Sequence, residues 1–130
     1  MFISLHSPYI EPGNLERNLE THINLINNSG SNLNVFPELS ITGYNCGDLF
    51  FNSNYLNKAR KNLVKIHDFC KQKNKIAKLS TPFQFKGALY NFADAVGLSR
   101  TIISDSQKIL SFYFSPIGCL RITSDVKNPF

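Results

Sequence analysis

Glu38 is the residue in this chain best placed by type and surroundings to do chemistry. The segment 33–36 reads as a strand and stops at Pro37; Glu38 follows at once, and no other glutamate occurs after residue 20. Gly43 and Tyr44 come next, then a second apolar run over 49–51. An acid at the carboxyl end of a buried strand stands where open α/β sheets hold their ligands. A carboxyl group lifted toward neutrality by burial can serve as a general base.

The elements that must position this acid are readable from periodicity. Residues 1–5 read as a first strand, and 7–13 as a loop with two prolines. Asn14 can cap a helix, along which Leu15, Leu19, Ile23 and Ile26 recur on one face until Asn27, Asn28, Ser29 and Gly30 end it. With the strand at 33–36 this makes a strand–helix–strand unit, expected to form a right-handed crossover in a parallel sheet. Residues 52–75 carry the longest helical pattern, with Leu56, Ala59, Leu63, Ile66 and Cys70 as its stripe. Strands are expected at 76–79, 89–96, 101–104, 109–114 and 120–123. A chain turn is expected over 82–87, and a hairpin turn at Asp105, Ser106 and Gln107. The fold class is α/β.

Composition narrows the function classes. At 130 residues with 42% apolar content the chain fits one domain with its own core. No apolar stretch reaches the ~18 residues that span a bilayer, and no signal peptide is visible. Cys46, Cys70 and Cys119 are odd in number and far apart, which favours a reducing cytoplasm over a disulfide framework. No cysteine pair has zinc-ligand spacing, and His6, His22 and His67 are scattered, so they read as surface or packing residues. Neither a metal nor a cofactor is expected. The net charge of +5 is concentrated in Lys58, Arg60, Lys61, Lys65, Lys71, Lys73, Lys75 and Lys78, against one acid, Asp68. Without interleaved aromatic residues this reads as a solvated helix face, and nucleic acid is not expected as a partner.

The residues around Glu38 also resemble a family. Phe36-Pro37-Glu38-Leu39, Thr42-Gly43-Tyr44 and Cys46-Gly47-Asp48-Leu49-Phe50 resemble the nitrilase-type (carbon–nitrogen hydrolase) superfamily. Nitrilases share the first two pieces. The third narrows the resemblance to the glutaminase branch found at the amino terminus of bacterial glutamine-dependent NAD synthetases. The match covers residues 1–91 well and loosens toward 114. It implies an α-β-β-α sandwich of two sheets with helices outside. Family domains are considerably longer, so residues 1–130 are expected to form a single, partial nitrilase-type sandwich, truncated or degenerate at its back.

The resemblance further implies amide hydrolysis by a glutamate, a lysine and a cysteine. The thiolate attacks the amide carbon, the glutamate moves the protons, and the lysine helps hold the oxyanion. Glu38 matches the base, and Tyr44 matches a residue lining the substrate pocket. Cys46 lies in the motif but not at the nucleophile position, and Asp48 reads as a helix-start acid. For the lysine, Lys108-Ile109-Leu110 can be matched in two ways. One places the lysine position on Ser115 and agrees with the turn at 105–107; the other counts from Asn91 and lands near Lys108. For the nucleophile, Ile122-Thr123-Ser124-Asp125-Val126 resembles the cysteine-bearing segment and puts Thr123 there. Cys119 is the nearest thiol, but four residues along a strand is roughly 13 Å.

The expectation is therefore a glutamine-hydrolysing scaffold, supplying ammonia for NAD synthesis, in which activity is impaired or lost. The expected ligand is glutamine or another small amide. Any ammonia acceptor would be a ligase domain in a separate chain, because no pyrophosphate-binding loop of that domain is visible. A non-catalytic relict that binds a partner or itself is the alternative.

Overall fold

In the computed structural model, residues 2–97, 112–114 and 120–122 are described. They form one six-stranded sheet with strands in chain order and two helices. β1 (Ile3–Leu5), β2 (Leu33–Val35) and β3 (Ile76–Phe85) run parallel; β4 (Ala88–Val96), β5 (Phe112–Phe114) and β6 (Leu120–Ile122) continue antiparallel. Helix α1 (Leu15–Asn28) links β1 to β2, and α2 (Ser53–Lys73) links β2 to β3. Parallel neighbours need such crossovers because a tight turn cannot reverse the chain twice.

Both helices start and stop for local reasons. The Asn14 side chain accepts from the Arg17 N–H, and the Asn52 side chain from the Tyr55 N–H, each satisfying one of the donors a first turn leaves open. Helix α2 ends on Asn74 in the left-handed conformation, φ 53°. Helix α1 has no basic residue in its last turn. Lys75 supplies one from the next crossover, donating to the Ile26 carbonyl at 2.6 Å and to the Ser29 carbonyl.

The core lies between sheet and helices. Ile26 of α1, Ala59, Ile66 and Cys70 of α2, and Ala77 of β3 are fully buried, with Leu79 close behind. The predicted α2 stripe is thus the buried face, and Lys58, Arg60, Lys61, Lys65, Lys71 and Lys73 lie exposed outside it. Burial also pushes the Cys70 thiol up to about 11, so it behaves as a small apolar side chain.

The register divides the sheet into two faces. Asn34 pairs with Ala77 on the helix side, while Ile3, Leu33 and Ile76 share the opposite face, as do Leu5, Val35 and Lys78. On that open face Ile3 and Leu5 remain exposed.

Two expectations need comment. The turn expected over 82–87 is shorter: β3 continues through Phe85, and Lys86 and Gly87, φ 48° and 79°, make a two-residue hairpin turn to β4. Pro82 is tolerated because β2 pairs with β3 only from Ile76 to Lys78. Beyond that, β3 is an edge on one side, where a missing N–H costs no ladder bond. The strand expected at 101–104 and the turn at Asp105–Gln107 lie outside the described residues.

Candidate active site

Glu38 opens the turn that follows β2, at the carboxyl end of the parallel strands. The next residue, Leu39, holds φ 52°, a conformation that costs an L-residue about 1 kcal/mol or more. Its surroundings enforce it. The Leu39 N–H donates to Ser80 Oγ at 2.6 Å, and its carbonyl accepts from the Gly43 N–H at 2.7 Å. Such locally strained backbone next to a carboxylate fits a functional loop better than a linker.

The carboxylate itself is held from the sheet. Asn91 of β4 donates from Nδ2 to Glu38 Oε1, and Ser80 of β3 donates to Asn91 Oδ1 at 3.0 Å. Ser80 is buried on the open face of β3, and Asn91, opposite Pro82, shares that face.

Helix α1 fixes the same loop from the other side. Asn18 is fully buried and uses both ends of its amide. It accepts from the Glu11 N–H at 2.9 Å, and donates to the carbonyls of Glu11 and Ile41 at 2.9 and 3.1 Å. The Gly13 N–H donates to the Thr42 carbonyl at 2.8 Å, tying the two loops together again.

One turn along α1, His22 is also fully buried. Its Nδ1 lies 2.6 Å from the Asn18 carbonyl, which can only accept, so Nδ1 carries the proton. Nε2 then accepts from Ser40 Oγ at 2.9 Å. Phe36 fills the space between His22 and His6, with ring centroids 4.5 and 4.7 Å away.

Burial holds His22 below its ordinary value of 6.5; the Asn18 bond opposes this, and nearby His6 adds to it. The unfolded chain therefore binds a proton near pH 6.5 that the folded chain resists. Stability is unaffected well above that pH and falls as pH drops through it. Thermal midpoints between pH 8 and 5 should decline in the wild type and decline less in His22→Gln. Equal slopes would remove His22 as the cause.

The remaining sequence candidates fall as follows. Tyr44 is 72% exposed. Cys46 is buried, with its Sγ 3.1 Å from the Thr42 carbonyl and accepting from the Tyr55 hydroxyl at 3.8 Å. Asp48 lies in the first turn of a short 3-10 helix, Gly47–Phe51. Lys108, Ser115, Cys119 and Thr123 lie outside the described residues, so the site described is Glu38 and its supports. Sequence reasoning did not assign Asn91, Ser80, Asn18 or His22 to it. A polar residue inside the apolar run 89–93 was the available signal for Asn91.

Solved structures share this arrangement of sheet and helices. A glutamine-dependent NAD(+) synthetase from Cytophaga hutchinsonii matches with TM-score 0.65 and 27% identity, over 72% of this chain and 16% of that one. The glutamine-dependent NAD+ synthetase from Acinetobacter baumannii matches with TM-score 0.63 and 27% identity, over 72% and 18%. A Nesterenkonia AN1 amidase of the nitrilase superfamily, solved as a mutant, matches with TM-score 0.60 and 18% identity, over 72% and 37%. No protein-family model matches the chain, nor does any curated protein sequence.

The class defined by this fold is nitrilase-type in part: the described residues form one mixed sheet with its helices, consistent with part of such a sandwich. Within it the likeness runs to the glutamine-dependent NAD synthetases, of whose chains this one spans less than a fifth.

Proposed function

We propose that this chain is a single, incomplete nitrilase-like domain that carries the general base of a glutamine-hydrolysing site, with turnover impaired in the chain alone. The observation that carries this reading is the placement of Glu38. It follows β2 directly, on a strained turn, with its carboxylate bonded to the amide of Asn91. A base held in one orientation can take the proton of a thiol or a water without first being ordered. The likeness to NAD synthetases at 27% identity favours glutamine over other amides as the substrate the scaffold descends from. Ammonia so formed would pass to an ammonia-accepting ligase domain.

The impairment rests on the sequence. Ser115 and Thr123 occupy the positions matched to the lysine and the nucleophile, with Lys108 and Cys119 as the only nearby substitutes in the alignment. A hydroxyl is a much weaker nucleophile than a thiolate without a dedicated base. Removing one member of a group that acts together costs most of the rate. Ammonia release from glutamine, asparagine and a short aliphatic amide, measured with the purified chain, is expected to stay at background for all three.

A partner-binding role is favoured by a separate observation. Ile3 and Leu5 are 55% and 81% exposed on the open sheet face, where Leu33 and Val35 are only half-buried. Such an apolar patch suits association with a second chain or a second copy.

A further inference from the structure

Resting on the reading of Glu38 as a base, we infer that Asn91 and Ser80 are its positioning residues and that Oε2 is the oxygen that takes the proton. The chain of bonds has one direction only. It begins at the Leu39 N–H, which can only donate, and which occupies a lone pair of Ser80 Oγ at 2.6 Å. Ser80 Oγ donates its single proton to Asn91 Oδ1 at 3.0 Å, the orientation that leaves the amide nitrogen for the Glu38 carboxylate, which only accepts. The amide of Asn91 is thereby fixed with oxygen toward Ser80 and nitrogen toward Glu38.

An amide nitrogen cannot accept, so the atom facing it must be an acceptor, Oε1 of Glu38. Bonds in which a carboxylate accepts are charge-assisted and are the stronger ones. The Asn91 bond occupies Oε1 and leaves Oε2 to work. The fixed end of the relay is the backbone of the residue next to Glu38. The same contacts therefore hold the strained Leu39 and aim the acid, and they do so from β3 and β4.

The consequence is a spectroscopic signature that a packing role alone would not give. In a 1H–15N spectrum of the whole chain, the Asn91 side-chain amide should show one proton displaced from the usual exposed-amide position. Glu38→Ala, an exposed substitution that leaves the fold intact, should return that proton to the usual position. Ser80→Ala should leave the amide free to turn over, moving the displaced proton part of the way back to the usual position. Backbone amides of β3 and β4 report folding in each variant. An Asn91 signal already at the exposed position in the wild type, or unchanged by Glu38→Ala in a folded chain, would overturn the inference. The base reading fails separately. A displaced Asn91 signal together with ammonia release clearly above background and unchanged by Glu38→Ala would remove the base and keep the positioning bond. A normal Asn91 signal with ammonia at background in both proteins would remove the positioning bond alone.

Discussion

Replacing Asn18 by alanine should lower the unfolding free energy by about 3 kcal/mol, because each buried polar group left without a partner costs roughly 1–3 kcal/mol. Two groups are left so, the Glu11 N–H and the Ile41 carbonyl, while the Glu11 carbonyl keeps the Asn14 N–H at 3.1 Å. The lower end of that range applies to the Glu11 N–H, since Glu11 is only half-buried and water can reach it. Ile41 is 2% exposed, and its carbonyl has no such relief. Asn18→Asp should do no better. It keeps the acceptor for the Glu11 N–H but turns a carboxylate oxygen toward two carbonyls in a buried setting. Urea unfolding monitored by circular dichroism measures both variants, and a loss below about 1 kcal/mol for Asn18→Ala would mean the loops are held by other contacts. A factor of roughly a hundred in the folding equilibrium is at stake, since each 1.4 kcal/mol is tenfold.

A similar loss is expected for Gly43→Ala, for a different reason. Gly43 has φ 89°, and a Cβ built there meets Pro12 Cα at 2.8 Å. Both problems are backbone problems, so no side-chain rotation relieves them. An overpacked site costs about 1–3 kcal/mol and the left-handed backbone about 1–2 kcal/mol more, giving about 3 kcal/mol together. Gly47 supplies the control. It has φ 52° but nothing within 4 Å of its Cβ position, so Gly47→Ala should cost about 1 kcal/mol, the conformational part alone. Parity of the two variants in urea unfolding would show that the loops bearing Pro12 and Gly43 can part without penalty. Their separation would also break the bond from Gly13 to Thr42.

These two sites show what could and could not be read from the sequence. The parallel β1–β2–β3 unit with its helices was legible because its signals are local. Asn14 and Asn52 sit at the two helix starts, apolar residues recur at helical spacing, and 33–36 ends at a proline. Glu38 was legible from the motif around it. Pro82 misled because proline ordinarily marks a turn, and only the pairing pattern reveals that β3 has a free edge there. The supports of Glu38 were hidden by distance along the chain. Ser80 lies 41 residues from Leu39, and Asn91 lies 53 residues from Glu38. Nothing in their immediate neighbourhoods states that they converge. Asn18 and His22 stand four apart and so share the face of α1 that meets the loops, but from sequence alone His22 read as one of three scattered histidines.

Glu38 thus sits in a site whose supports are built, in a chain proposed to lack the lysine and the nucleophile. The most direct measurement of that account is ammonia released from glutamine by the purified chain, compared with Glu38→Ala at the same high protein concentration. The account predicts that the two proteins are indistinguishable and at background, with Glu38→Ala folded as judged by circular dichroism. Wild-type turnover that disappears in Glu38→Ala would contradict it, and would require a nucleophile, Cys119 or another, that completes the site in this chain.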